Sequence, residues 1–308
     1  MKVAVTGASG FIGGYVARYL ARQGYDVTGY GRRAAASLSA PVPRYQEWDF
    51  TAGPIAARGF DGVVHCGAAV SDWGTERSFL RANVDGTRAV LDAFADAPRF
   101  VHVSTSSVYS DSVPKRAVNE DAEVGRCRHS AYGRSKAAAE AVVSASETSS
   151  VILRPHIVYG PGDTTLLPRV TEASRFGRLT VPGDGSNRVS MTHVENLASC
   201  IDRALTTTAI GIFNVTDGED ASIHEFLTTM LRRHGLQVRP FYIPAPAAEL
   251  LASTMEAAWR AVGAVRRPPL TRYLVAQLSQ EHTLDSSRAK KVLGYAPRWN
   301  YRDGPVTL

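Results

Sequence analysis

Apolar runs of four to six residues alternate with amphipathic stretches from Lys2 to Pro155. "KVAVTG" (Lys2–Gly7) reads as a buried strand that ends in glycine. The next stretch, Phe11–Gly24, sets Ile12, Val16, Tyr19 and Leu20 on one helical face and closes at Gly24. Further strands are expected at "YDVTGY", Gly62–Ala69, Arg99–Ser107 and Ser150–Pro155, with helices over Glu76–Ala97 and Ser130–Glu147. Strand and helix in strict alternation imply a parallel, doubly wound sheet with right-handed crossovers.

The rhythm breaks after "YGPGD" (Tyr159–Asp163). Leu166–Phe176 reads as a helix and Gly183–Asn187 as a turn. A helix at His193–Leu205 and a strand at Gly211–Thr216 then restore a β-α element, and the remainder is mostly helical with breaks at Pro240–Pro246 and Pro268-Pro269. The expected architecture is α/β: a Rossmann-type doubly wound parallel sheet with a smaller, mostly helical C-terminal substrate lobe. Residues 1–160, rejoined by about 193–216, form the nucleotide domain, and 161–192 with 217–308 form the lobe.

Composition narrows the class. The 308 residues are 44% hydrophobic and 21% charged, ordinary for a globular chain with a full core. The net charge of +6 is spread in isolated Arg and Lys pairs, so no nucleic-acid partner is expected. Cys66, Cys127 and Cys200 are scattered, outside any metal-binding spacing, which points to a reduced, cytoplasmic compartment and no metal. Lys2 leads straight into a strand, which speaks against a secretory signal. No apolar run approaches the ~20 residues of a membrane span.

Gly7, Gly10 and Gly13 follow the first strand and open the first helix with the spacing G-x-x-G-x-x-G. A plain tight turn is the bland reading. In this strand–loop–helix context the glycines instead suit a dinucleotide: a sharp exit, room for a diphosphate, and close helix–sheet packing. Unpaired N–H groups at the helix start favour the phosphates.

Tyr132 and Lys136 form Y-x-x-x-K, four apart on one helical face. A phenol titrates near ~10, and a neighbouring ammonium lowers that value and makes tyrosine a usable acid or base. The pattern alone is common by chance and equally suits a solvated face. Its weight comes from the hydroxyl-rich strand end Ser104-Thr105-Ser106-Ser107, which can hold a substrate oxygen beside it.

The glycine loop, "VHVSTSSVY", "YGRSK" and "LRPHIVYGP" together resemble the extended short-chain dehydrogenase/reductases over nearly the whole chain. The resemblance implies Tyr132 as acid/base, Lys136 as its tuning partner and ribose ligand, and Thr105 as the group that orients the reacting oxygen. It also implies an adenine contact at Asp49, a backbone-supporting Asn83, and a nicotinamide-facing segment at Pro155–Val158. The cofactor candidates are thus Gly7, Ser9, Gly10, Phe11, Ile12, Gly13, Arg32, Arg33, Asp49, Phe50, Ala68, Asn83, Tyr132, Lys136, Pro155, Ile157 and Val158. Trp73, Ser106, Tyr159 and Met191 are the substrate candidates. A homodimer is expected by analogy.

Three features separate branches of the family. Ser106-Ser107 stand where sugar-nucleotide dehydratases carry an acid pair. Val189 stands where epimerases carry a diphosphate-clamping Arg, with Arg188 one residue early and so on the other strand face. "LSQEHTLD" lacks a second clamp arginine. "AAVSDWGTERSFLRANVDGT", "HVENLA", "PPLTRY" and "LDSSRAKKVLGYAP" resemble instead the 3β-hydroxysteroid dehydrogenase-like and β-keto-acid reductase-like branch. That implies a ketone or secondary alcohol on an apolar molecule such as a steroid, β-keto acid or polyketide-like ketone. A nucleotide-sugar 4-epimerase with tightly bound NAD is the alternative. Leu251, Met255, Trp259 and Val262 form an apolar stripe on one helix, read as a lid, a membrane-touching surface or a core-facing side.

A carboxylate at the end of the second strand would select NAD through the ribose hydroxyls. Gly31 takes that position, with Arg32 and Arg33 after it. A small residue leaves space for a 2′-phosphate, which Arg32 can clasp with its planar fork. NADP(H) is therefore the preferred cofactor and NAD(H) the alternative.

Overall fold

The structure is a computed structural model; it describes residues 1–38, 40–111 and 114–306, with backbone alone at Leu167 and Arg175. Seven parallel strands make the central sheet. Across it they run Gly211–Val215, Ser149–Pro155, Arg99–Val103, Gly62–His65, Lys2–Thr6, Asp26–Gly31 and Tyr45–Glu47. The order reverses between Lys2–Thr6 and Gly62–His65, where a parallel sheet opens a crevice at its C-terminal edge.

Both faces of the sheet are covered, so its strands read as unbroken apolar runs rather than alternating ones. Val3 and Val5 pack under the helices Phe11–Arg22 and Val194–Thr206, while Ala4 and Phe100 pack under Gly86–Ala93 and Ala131–Ser144. The expected helix over Glu76–Ala97 is in fact a helix at Glu76–Leu80, a π-helical stretch at Arg81–Asp85 and a helix at Gly86–Ala93.

The later chain contributes short strands as well as helices. One sheet joins Asp220–Ser222, Arg188–Ser190, His282–Leu284 and Lys115–Val118. A second joins Arg239–Ile243, Arg178–Pro182 and Ser174–Arg175. In the helix Ala245–Ala261 the buried side is Ala248, Ala252 and Glu256. Small residues let the helix Arg272–Ser279 approach closely, and Glu256 accepts from the Arg272 backbone N–H at 2.8 Å. The two ends of the apolar stripe are thereby turned outward, Leu251 45% and Val262 77% exposed, while Met255 and Trp259 between them are half-buried. No helix among the described residues is long and apolar enough to cross a membrane.

Candidate active site

The glycine loop sits at the switch point of the sheet. Gly7 has φ +72°, and a Cβ there would lie 2.6 Å from the Gly67 nitrogen across the crevice. A Cβ on Gly13 would lie 2.3 Å from the Gly7 carbonyl oxygen. Both positions therefore exclude a side chain on packing grounds. Gly10 caps the helix, is exposed, and has no acidic residue in the turn that follows. Phe11 and Ile12 are half-buried beside it. This cradle fits a dinucleotide diphosphate.

At the adenosine end, Gly31 is small for a reason the sequence does not reveal. A Cβ there would meet Ser9 Oγ at 2.6 Å and Tyr45 Oη at 2.7 Å. Tyr45 in turn donates to the Arg33 carbonyl at 2.6 Å and fixes the turn. Arg32 and Arg33 are exposed. Asp49 accepts from the Thr51 backbone N–H and hydroxyl at 2.9 and 2.7 Å. Burial pushes its carboxyl up, but the Thr51 hydrogen bonds and the Arg32 and Arg81 charges outweigh that and hold it below its usual value. Phe50 fills the space that Cβ atoms on Gly67 and Gly86 would take.

Asn83 lies in the π-helical stretch. The extra residue in such a turn re-aims its side chain. Its Oδ1 accepts from the Ala69 N–H at 2.7 Å, and its Nδ2 donates to the Ala69 carbonyl at 3.1 Å and to Ser135 Oγ at 2.9 Å. The loop carrying Ala68 is thus clamped to the helix carrying Tyr132 and Lys136.

Tyr132 stands in the first turn of the helix Ala131–Ser144, capped by Ser130 Oγ on the Gly133 N–H. Burial and the neighbouring Tyr273 hold its phenol above its usual value, against the lowering effect of the nearby Thr105 hydroxyl. Lys136 is buried on the sheet side of the helix. Its ammonium lies 3.0 Å from His102 Nε2 and donates to the Val103 carbonyl at 2.8 Å. Burial brings Lys136 down to about 8, against the raising effect of Glu140 and Cys66. The Lys136 ammonium is thus anchored on the Arg99–Val103 strand, a placement that the Y-x-x-x-K spacing does not reveal.

The remaining candidates divide. Ser106 lies beside Thr105 and pairs with His156 Nδ1 at 2.7 Å. Trp73 donates to the Ala264 carbonyl at 3.1 Å beneath the Arg260 guanidinium. Tyr159 and Met191 are fully buried in the lobe core, and the Tyr159 hydroxyl is committed to Asp217 at 2.6 Å. Ile157 holds φ +39°, a costly backbone conformation for a β-branched residue, immediately after His156. Val189 is buried while Arg188 is exposed and donates to the Asp220 carbonyl at 2.7 Å, as strand alternation dictates. Among the described residues no group of three or more His, Cys, Asp or Glu side chains is placed to hold a metal.

The family model described as the NAD dependent epimerase/dehydratase family matches residues 3–216. The chain belongs to this family. It is an NAD(P)-dependent enzyme of the extended short-chain dehydrogenase/reductase type. This family member is 32% identical over 320 aligned positions to a 2-alkyl-3-oxoalkanoate reductase of Stenotrophomonas maltophilia, covering 99% of this chain and 97% of the relative. It is 33% identical to the 4-hydroxy-2-methyl-3-oxo-4-farnesyl-3,4-dihydroquinoline-1-oxide ketoreductase of Stigmatella aurantiaca, covering 99% and 94%. Its fold matches the crystal structure of UDP-glucuronic acid 4-epimerase from Bacillus cereus in complex with NAD (TM-score 0.74, 24% identity, 99% and 96% covered).

Sequence reasoning missed several side chains around this site. Tyr273, within "PPLTRY", lies 2.9 Å from Ser107 Oγ and raises the Tyr132 pKa. Its motif was visible, but nothing local tied it to Tyr132. His102 meets Lys136, and His282 meets His156, from distant parts of the chain, so no local spacing ties either pair together.

Proposed function

We propose that the protein is an NADP(H)-dependent oxidoreductase, a ketoreductase or secondary-alcohol dehydrogenase for an apolar small molecule such as a steroid, β-keto acid or polyketide-like ketone. The observation that carries this reading is the proximity of the Thr105 hydroxyl to the Tyr132 phenol, close enough for Thr105 to stabilise the phenolate. Two hydroxyls held together give a carbonyl oxygen two donors at one point, one of them able to release a proton. The nicotinamide cofactor, when bound, supplies or accepts the hydride. This chain's residues manage the oxygen and the proton. Thr105 orients the oxygen, Tyr132 donates the proton in the reducing direction, and Lys136 supplies positive charge and a donor for the ribose. Residues 1–160 with about 193–216 hold the cofactor; 161–192 and 217–308 hold the substrate.

NADP(H) is favoured because the packing of Ser9 and Tyr45 leaves no room for an acidic side chain at position 31, while Arg32 and Arg33 follow it. A sugar-nucleotide epimerase is disfavoured because Val189 is buried and Arg188 is engaged at the surface, so neither clamps a diphosphate. The names of the two reductase relatives point the same way. The test is NADPH and NADH oxidation over steroid, β-keto-acid and polyketide-like ketones. NADPH oxidation with at least one class is expected, falling about 10²–10⁴-fold in Tyr132→Phe. Tight UDP-sugar binding with retained NAD and no ketone turnover would overturn the reading.

A further inference from the structure

His156 follows the strand Ser149–Pro155, and His282 opens the strand His282–Leu284. They are far apart in sequence yet meet ring to ring, with centroids 3.8 Å apart and planes inclined by 33°. They are 4% and 2% exposed. Ser106 Oγ sits 2.7 Å from His156 Nδ1. His156 Nε2 and both ring nitrogens of His282 have no partner among the described residues.

Buried polar atoms are almost always paired, and leaving one unpaired costs about 1–3 kcal/mol. Three such nitrogens on two touching rings therefore mark a place where something polar is meant to sit. The chemistry of that partner follows from the donors. Burial and the nearby Lys115 charge hold both imidazoles neutral, His156 down at about 3. A neutral imidazole keeps one N–H and one bare nitrogen. His282 thus offers an N–H in either tautomer, and His156 offers one from Nε2 whenever Ser106 donates to Nδ1. Lys115, cross-strand from His282, adds positive potential. N–H donors on two touching rings in a positive field favour an anion, and a planar two-oxygen anion offers an acceptor to each ring.

We infer that Ser106, His156 and His282, with the Lys115 charge behind them, form a subsite for a carboxylate carried by the substrate. This rests on the ketoreductase reading, because it places the carboxylate relative to the Thr105 oxygen site. Thr105 and Ser106 are consecutive, and consecutive Cα atoms are about 3.8 Å apart. A β-keto or β-hydroxy acid has one carbon between its oxygen-bearing carbon and its carboxylate, a span of the same order. The substrate class is narrowed to such acids, with the apolar chain directed elsewhere in the lobe.

The full chain is titrated calorimetrically with decanoate, a carboxylate it cannot reduce, and with uncharged 1-decanol. Decanoate is expected to bind at least about tenfold tighter, the worth of a charge-assisted hydrogen bond. His282→Phe and His156→Phe should each remove most of that preference, and His282→Gln, which keeps an N–H, should restore part of it. The kcat/KM ratio of 3-oxodecanoate over 2-nonanone should fall about tenfold in His282→Phe, the same loss of one charged contact. A preference for decanoate that is absent in the wild-type chain, or that survives all three variants, overturns the subsite whether or not ketones are reduced. Loss of affinity for both ligands equally also overturns it, as a merely structural role. If the phenylalanine variants fail to fold by circular dichroism, His156→Leu and His282→Leu, which also lack an N–H, carry the same comparison. Intact decanoate preference, lost in the variants, alongside no turnover of any ketone would support the subsite while removing the ketoreductase reading.

Discussion

The Lys136 ammonium lies 3.0 Å from His102 Nε2, inside the protein and against the sheet. An ammonium only donates, so Nε2 accepts and the imidazole proton is on Nδ1, which has no partner among the described residues. Burial of Lys136 brings its pKa to about 8, within reach of working pH. The charge beneath the Thr105–Tyr132 pair is therefore conditional on pH and on what accepts its protons.

An alkaline limb follows from this. If the charged lysine is the working form, kcat/KM falls as pH rises through about 8. His102→Leu removes an acceptor from the ammonium and should move that limb to lower pH. Lys136→Met should abolish the limb and cut turnover about 10²-fold or more. The same shift sets a stability slope: the folded value of about 8 lies below the unfolded ~10.4, so the unfolded chain binds this proton more readily. The Lys136 contribution to stability then rises with pH across that window. A limb at the same pH in His102→Leu would sink the assignment.

Glu140 lies one turn beyond Lys136 and holds the other side of the site. Its carboxylate accepts from Arg154 Nε at 2.9 Å, from Arg154 Nη2 at 2.6 Å and from Ser104 Oγ at 2.5 Å. Arg154 also donates to the Tyr109 hydroxyl at 3.0 Å. Both charged partners are nearly fully buried. Glu140→Gln leaves the guanidinium without its counter-charge and should cost about 3–5 kcal/mol in urea unfolding. A loss below 1 kcal/mol, on the scale of exposed pairs, would show that water already reaches the pair.

The sheet and the glycine loop were legible because their signals are local. Each strand is an apolar run between turn residues, and Gly7, Gly10 and Gly13 lie within one loop. Tyr132 and Lys136 were legible as a helical pair, but not the direction the lysine takes, because His102 arrives from another strand. The Ala245–Ala261 helix was legible as an element, but not which of its sides packs inward. Its largest apolar residues make the stripe, yet close packing against a neighbouring helix needs small ones, so Ala248 and Ala252 go inside. Tyr159 and Met191 looked like pocket residues from their motifs, and the lobe's own core takes them. Lys115, His156 and His282 are joined by pairings across much of the chain, which no periodicity announces.

Arg32 tests the cofactor preference. It is exposed at the end of the strand Asp26–Gly31, and its charge reaches Asp49. A 2′-phosphate there would gain a charge-assisted contact, worth about 1.5–3 kcal/mol or roughly 10–100-fold in affinity. Arg32→Asp replaces that contact with repulsion. The ratio of kcat/KM for NADPH over NADH should fall by at least about tenfold. An unchanged ratio in steady-state kinetics would remove Arg32 from the site and with it the preference for NADP(H).

Asp217 gives the last prediction, at the junction between the sheet and the later segments. Its carboxylate accepts from the Tyr159 hydroxyl at 2.6 Å, the His193 N–H at 2.7 Å and Asn196 Nδ2 at 2.7 Å. Burial nevertheless dominates and pushes its pKa up to about 7, while those three hydrogen bonds act to lower it. The folded value lies above the unfolded ~3.9, so the folded chain holds the proton longer. The stability this proton brings is complete below about 3.9 and is lost as pH rises through about 7. Asp217→Asn stays neutral at every pH. The unfolding free energy of the variant minus that of the wild type should therefore increase from pH 5 to pH 8, by roughly 1–3 kcal/mol. Urea denaturation at both pH values measures it. A difference independent of pH would mean that the three donors, not burial, govern this carboxyl.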